Sequence, residues 1–342
     1  MSKTWTAADG VRGPCRAAAS MPRRGGASRS WSTRDIPPQK GRQVVITGAT
    51  GGLGYETALA LAGAGADVML TGRNGAKGAA ALAAIRAAHP DASVAYADLD
   101  VASLASVQAF AERFMAEKGV LDLLINNAGV MSPPTRHVTQ DGFELQFAAN
   151  YLGHFALTAQ LLPALRWGQW PRVVNLSSGA HRIQAAIHFD DLDWTRRYSP
   201  WQAYAQSKLA MLMFAIELQR RSDAEGWRLM SNAAHPGFAL TGLQSAGPGL
   251  GLNRPSAFER LSGLIGPLVA QSAAAGALPT LFAATSTEAR PAGYYGPQGF
   301  MELKGPVGEA IISADARDPA LAARLWAVSE KLTGVRWPGG SS

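Results

Sequence analysis

Cysteine is nearly missing: Cys15 is the single thiol in 342 residues. No intrachain disulfide can form, and so few thiols fit a reducing cytoplasm. No apolar run approaches the roughly 18 residues of a spanning helix, so no membrane span is expected. His89, His137, His154, His181, His188 and His235 show no metal-ligand spacing, so no metal site is expected. A basic stripe for nucleic acid is lacking too. The formal charge is +7, but residues 1–40 hold Lys3, Arg12, Arg16, Arg23, Arg24, Arg29, Arg34 and Lys40 against Asp9 and Asp35, a net +6 that leaves +1 for the rest. The excess belongs to a tail, not to a surface of the fold. That tail is Gly/Ser/Ala/Arg-rich, without apolar periodicity, and reads as disordered. No apolar run follows its paired arginines in "PRRGGASRSW", which argues against an export signal.

What is present begins at residue 42. Short apolar runs at 43–47, 67–71, 93–97, 121–125, 172–176 and 229–234 read as buried strands. Alanine- and leucine-rich stretches at 53–64, 75–88, 102–118, 141–166 and 201–221 read as helices between them. Alternation of this kind predicts βαβ units, a parallel sheet covered on both faces, and a doubly wound α/β fold. Residues 243–256, "LQSAGPGLGLNRPS", break the pattern and suit a lid over a site.

"TGATGGLG", residues 47–54, puts four glycines between the first strand and the first helix. Such a turn lets a pyrophosphate approach the backbone and sit at a helix N-terminus, where free N–H groups favour negative charge. The spacing is neither G-x-G-x-x-G nor a P-loop, and a ligand-free glycine turn remains the other reading. At the end of the second strand, Gly72 stands where an acid would bind ribose hydroxyls, and Arg73 follows. That favours NADP(H) over NAD(H), because a guanidinium suits a 2′-phosphate; a solvated arginine is the alternative.

Tyr204 and Lys208 in "YAQSK" share a helix face at i, i+4. An ammonium there would lower the phenol's pKa and make it an acid/base, although such pairs also arise by chance. Ser177 and Ser178 end a buried strand, where residues of open α/β sheets act; ordinary turn chemistry is the alternative. The G-x-S-x-G of a serine hydrolase is absent. Asn150 lies inside a predicted helix and needs a role there, as a holder of water or an opening in the backbone ladder. His154 and His181 read as polar or packing residues.

Taken in order, "TGATGGLG", Asp98-Leu99, "NNAG", Asn150, Ser178, Tyr204-x-x-x-Lys208 and "HPGFALT" resemble the short-chain dehydrogenase/reductase family over roughly residues 42–320. "DGFELQFAANYLGHFALT" and "YYGPQGFMELKGP" are similar to its retinol-dehydrogenase-like and protochlorophyllide-reductase-like branch. The resemblance implies a single Rossmann-type domain over residues 41–330. Its sheet would be seven-stranded and mainly parallel, with helices on both faces and a substrate lid at 238–270. It implies Tyr204 as acid/base, Lys208 as its activator and nicotinamide-ribose ligand, Ser178 as a bond to the substrate oxygen, and Asn150 as the holder of a water beside Lys208. Gly48, Thr50, Gly51, Gly52, Leu53 and Gly54 would cradle the phosphates. Arg73 and Asn74 would face the 2′-phosphate, and Asp98 and Leu99 the adenine. Asn126, Ala128 and Gly129 would line the adenosine side; Pro236, Gly237 and Thr241 would position the nicotinamide. The expected activity is ketone/aldehyde–alcohol interconversion on an apolar small molecule. Phe238, Leu240, Leu243, Leu250 and Phe258 would line its pocket. A homodimer or homotetramer would be in keeping with the resemblance. A carbon–carbon double-bond reductase of the same fold and a silent NADP-sensing protein are the rival readings, separable by turnover of a ketone panel with NADPH.

Overall fold

Side chains of successive strand residues go to opposite faces, and in this sheet both faces are apolar. In β1 (Gln43–Ile46) Val44 and Ile46 join one core, and Val45 the other. In β4 (Leu123–Asn126) Leu123 and Ile125 lie on the first side and Leu124 on the second. A strand buried on both sides reads as a continuous apolar run, which is why these segments were legible.

The computed structural model describes residues 30–239 and 271–338. The remaining strands are β2 (Asp67–Gly72), β3 (Val94–Asp98), β5 (Arg172–Leu176), β6 (Met230–Ala234), β7 (Tyr294–Pro297) and β8 (Val307–Glu309). Among the described residues they form one eight-stranded sheet in the order β3-β2-β1-β4-β5-β6-β7-β8, parallel except for β8. The expected seven strands become eight because β8 folds back on β7. At three residues it is too short to carry a period. The order reverses between β1 and β4, and the crevice of a doubly wound sheet opens at that switch point.

Helices α1 (Gly52–Gly63), α2 (Gly75–Ala88) and α7 (Ala273–Thr285) cover one face through Leu61, Ile85 and Leu281. On the other lie α3 (Leu104–Glu117), α5 (Gly153–Trp167), α6 (Pro200–Glu225) and α8 (Pro319–Thr333). Their core is aromatic: Phe155 and Phe214 pack against Trp326 and Trp337, with ring centroids 4.6 Å apart within the Trp326–Trp337 pair. The predicted helix 141–166 begins with α4 (Leu145–Phe147), passes through a π-helical turn at Ala148–Leu152, and continues as α5.

Both expected domain limits move outward. The compact body begins at Trp31 rather than residue 41. Trp31 meets Phe282 edge-to-face at 5.4 Å, and Gln39 is buried with its N–H on Ala64 O at 2.9 Å. Composition misled here, because charge and glycine dominate residues 1–29 and hide one anchoring tryptophan. Trp337, beyond residue 330, is 4% exposed. Residues 240–270, with Thr241, Leu240, Leu243, Leu250, Phe258 and almost all of the expected lid, lie outside the described residues. No described helix is long and apolar enough to cross a membrane.

Candidate active site

The glycines of residues 48–54 divide into two jobs. Gly48 has φ +64°, and a Cβ there would stand 2.9 Å from Ala128 Cα. At Gly54 a Cβ would meet Gly48 O at 2.5 Å. These two pack the turn against its neighbours. Gly51 has nothing within 4 Å of a built Cβ, so its missing side chain keeps the approach clear. It also caps α1 with no side-chain hydrogen bond, and no acid sits in the first turn. An α-helix N-terminus left with free N–H groups beside open space is an anion site.

That space is a cleft of about 350 Å³ lined by Gly48, Thr50–Gly54, Gly72, Arg73, Lys77, Leu99, Asp100 and Asn127–Val130 among others. A dinucleotide's phosphates fit its donors. Gly72 has no room for an acid without displacement, since its Cβ would lie 3.0 Å from Thr50 Cγ2. Arg73 and Lys77 supply two cations near one acid, Asp100, which lies 3.9 Å from Arg73.

The structure brings most of the predicted cofactor residues together, but turns three elsewhere. Asn74 is not among the cleft residues; its side chain accepts the Lys77 N–H at 3.0 Å and caps α2. Asp98 turns to Tyr96, whose hydroxyl lies 2.9 Å away. Asn126 is fully buried, donating to Thr158 Oγ1 at 3.0 Å and Asn175 Oδ1 at 2.8 Å. In β4 it faces the sheet interior, and the next residue, Asn127, reaches the cleft. Asn127 Nδ2 donates to Thr47 O at 2.7 Å and Gly48 O at 3.2 Å, holding the glycine turn. Lys77 was missed although it stands in the first turn of the helix that follows Arg73.

Gly129 joins the cleft to the buried polar group behind it. A Cβ on Gly129 would stand 2.8 Å from Asn150 Oδ1 and 3.7 Å from Lys208 Nζ. Asn150 occupies the π turn, a helix defect that recurs at functional sites. Its Oδ1 accepts from Val130 N at 2.8 Å; its Nδ2 donates to Val130 O at 2.9 Å and Ser207 Oγ at 2.8 Å. His154, one turn on, ties this to the glycine turn. His154 Nδ1 lies 3.2 Å from the Asn150 carbonyl and so carries the hydrogen, leaving Nε2 to accept from Thr47 Oγ1 at 2.9 Å. Thr47 Oγ1 in turn accepts the N–H groups of Asn127 and Ala128, at 2.8 and 2.9 Å. Burial pushes His154 down to about 3, so the ring stays neutral.

Helix α6 carries Tyr204 and Lys208 on its buried face, 5% and 4% exposed. Lys208 Nζ donates to Leu176 O at 3.0 Å and stands 5.8 Å from the Tyr204 ring centroid. Burial lowers Lys208 to about 8. Tyr204 runs against expectation: burial pushes the phenol up to about 12, with the Ser178 hydroxyl beside it pulling the other way. Desolvation therefore outweighs the Ser178 hydrogen bond. Ser178 caps the turn Gly179–Arg182, accepting Ala180 N–H at 3.2 Å, and its own hydroxyl proton faces Tyr204. Gly237, at φ +63°, packs against Leu303 O.

The geometry has counterparts. A family model described as short chain dehydrogenase matches residues 42–247. Retinol dehydrogenase 13 of Homo sapiens is 40% identical over 316 residues, 92% of this chain and 89% of its own length. Polyprenol dehydrogenase of Mus musculus is 41% identical over 304 residues, 88% and 86% of the two chains. The crystal structure of an uncharacterized protein from Mycobacterium paratuberculosis has a TM-score of 0.73 at 39% identity, covering 91% of this chain and 100% of its own. The family binds a nicotinamide cofactor and oxidises or reduces alcohol- and carbonyl-type substrates. This chain belongs to the short-chain dehydrogenases, in their retinol-dehydrogenase-like branch.

Proposed function

We propose that the chain is an NADP(H)-dependent oxidoreductase interconverting a ketone or aldehyde and an alcohol on an apolar small molecule. One observation carries the reading: the glycine-lined cleft runs, through Gly129, directly to the buried set of Asn150, Tyr204 and Lys208 with Ser178 beside it. When bound, the nicotinamide supplies the two-electron chemistry. The chain's residues do the rest. The α1 N-terminus, with Thr50, Gly51, Gly52 and Leu53, holds pyrophosphate. Arg73 and Lys77 hold the 2′-phosphate. Lys208 takes the nicotinamide ribose, and Pro236 and Gly237 position the ring.

Ser178 donates a hydrogen bond to the substrate oxygen. Tyr204 does the same and then delivers its proton. With its pKa pushed to about 12, Tyr204 keeps that proton at neutral pH, which suits carbonyl reduction. Asn150 fixes the segment beside Lys208, its side chain bound to Val130 and Ser207 and its carbonyl to His154. Retinol and polyprenol, which name two relatives, are apolar alcohols. The apolar residues of the expected lid support a substrate of the same character. A reducing, cytoplasmic setting agrees with the single cysteine.

The test is a panel of apolar ketones, aldehydes, alcohols and enones with NADPH and NADH. Carbonyl reduction with NADPH is expected. Saturation of the enone double bond alone, or NADPH binding without turnover of any member, would overturn the proposal. Equal use of both cofactors would remove the NADP(H) assignment.

A further inference from the structure

Three backbone segments come together: the turn Gly179–Arg182 after β5, the His235–Gly237 turn after β6, and the β7–β8 connection. One carboxylate touches all three. Glu302 is 9% exposed and sits in a turn where Met301 and Glu302 both have left-handed backbones, φ 52° and 57°. Non-glycine residues rarely adopt that region twice running. Here it aims the Glu302 side chain inward.

Glu302 Oε2 accepts from Arg182 Nη2 at 2.8 Å. The same oxygen lies 3.4 Å from His235 Nε2. Gly237 N–H donates to His235 Nδ1 at 3.2 Å, so the ring hydrogen is on Nε2 and faces Glu302. Oε1 accepts Ile311 N–H at 2.8 Å. The neighbouring Leu303 O accepts Phe238 N–H at 2.8 Å. Burial works against the Glu302 charge, but His235, Ile311 and Arg182 together hold it below the ordinary carboxylate value. Arg182 ends the turn that Ser178 caps, and His235 opens the turn that Pro236 and Gly237 complete.

We propose that Glu302 is a positioning residue that sets the spacing between Ser178 and the Pro236–Gly237 turn. It would thereby align the substrate oxygen with the nicotinamide ring without touching either. The proposal rests on the reading of these two segments as the substrate-oxygen and nicotinamide contacts. It predicts a split between the two halves of the cofactor. The adenosine half is held by residues that Glu302 does not contact.

The experiment uses the full chain with Glu302→Gln and, on the other partner of the pair, Arg182→Gln. Affinity is measured for NADPH and for 2′-phospho-ADP-ribose, which lacks the nicotinamide. If the wild type prefers NADH, the pair is NADH and ADP-ribose. Glu302→Gln should weaken NADPH about ten-fold, as expected for loss of a charge-assisted contact network. The fragment's affinity should stay within about two-fold, which also shows that the variant folds. Turnover should fall by about 10- to 100-fold, the scale of a small misplacement. Arg182→Gln should repeat the split more weakly, and it carries the test should Glu302→Gln fail to fold. Equal weakening of NADPH and fragment would make Glu302 a general structural residue; no change in either would remove its role. Tyr204→Phe is assayed alongside. If that variant keeps normal turnover, the reading of the site fails, while the binding split still decides the question for Glu302.

Discussion

At the catalytic end of the cleft Asn150 and Ser207 are fully buried, and Tyr204 and Lys208 nearly so. Each side chain there has named protein partners at hydrogen-bond or ring distance. At the adenosine end the Arg73 side chain is 65% exposed, and its nearest acid, Asp100, is 3.9 Å away and 38% exposed. The contrast is one of dielectric. Buried polar groups interact strongly and are costly to leave unpaired. Exposed charges are screened, and each contributes little alone. Under the proposed function, chemistry belongs at the first end and cofactor choice at the second, and substitutions should scale accordingly.

The largest effect is expected at Tyr204. Tyr204→Phe removes one hydroxyl, so fold and NADPH affinity should survive while kcat falls by about 10²–10⁴. Lys208→Ala should match that loss and also weaken NADPH. The two should be strongly non-additive, since the groups act as a unit. Because burial pushes the phenol up to about 12, alcohol oxidation should accelerate as pH rises toward an ionisation that is lost in Tyr204→Phe. A Tyr204→Phe enzyme with near-normal kcat on a ketone would end the comparison, because the buried end would then carry no chemistry.

Glu144 tests the support of the same end. It caps the helix that carries Asn150, its Oε2 accepting Phe147 N–H at 2.7 Å, and it is fully buried. Burial pushes its carboxyl up from 4.5 to about 7, with Asp193 adding to the shift. The folded state therefore keeps a proton that the unfolded chain releases between these values. This contribution to stability is complete below the unfolded pKa and is lost as pH rises through about 7. Melting curves of wild type and Glu144→Gln across that window should converge or cross toward alkaline pH. The change in their difference should be about 1–3 kcal/mol. A constant difference from acid to neutral pH would show that the Glu144 carboxyl titrates alike in the folded and unfolded chain.

Sequence reading reached the strands best, because burial on both faces makes runs such as Val44-Val45-Ile46 continuous. It also reached Asn150, as a polar residue in a helix that needed a reason, and the π turn is that reason. It failed where a role depends on which way a side chain turns. Asn126 and Asn127 are neighbours in "NNAG", yet strand alternation buries one and sends the other to the cleft. Asp98 and Asn74 fail alike: each is near the cleft in sequence and bonded elsewhere in space. Glu302 lies inside "YYGPQGFMELKGP", but nothing in that stretch marks its partners. Its partners Arg182 and His235 lie 120 and 67 positions away, and only the sheet order brings them together.

The amino-terminal boundary should show an intermediate effect, on stability alone. A chain starting at Ser30 should melt like the full protein, and one starting at Gly41 should lose about 1–3 kcal/mol with the Trp31–Phe282 contact and the Gln39 bonds. Trp31→Ala in the full chain should reproduce part of the loss. Equal melting temperatures for the two shortened chains would return the boundary to residue 41. Neither end of the cleft should respond, so kcat and NADPH affinity should hold in both.

Arg73 and Lys77 should give the smallest single effects, and those effects should depend on salt. Each guanidinium or ammonium contact to a 2′-phosphate would be made in exposed surroundings, where a charge pair is worth about 1 kcal/mol or less and is screened by salt. Arg73 has the advantage of a planar fork that meets phosphate oxygens in pairs. Arg73→Ala should therefore raise the KM for NADPH by about five-fold at low ionic strength and leave NADH nearly unchanged. Lys77→Ala should do the same more weakly, and the double variant should exceed either, because two cations then leave the same anion. Raising salt should narrow the gap between wild type and variants. The effect of Tyr204→Phe should persist under the same change, since its surroundings exclude solvent ions. If the preference for NADPH resists both substitutions, another group holds the 2′-phosphate. If it survives at high salt, the adenosine end is more enclosed with cofactor bound than the exposure of Arg73 implies, and the contrast between the two ends narrows.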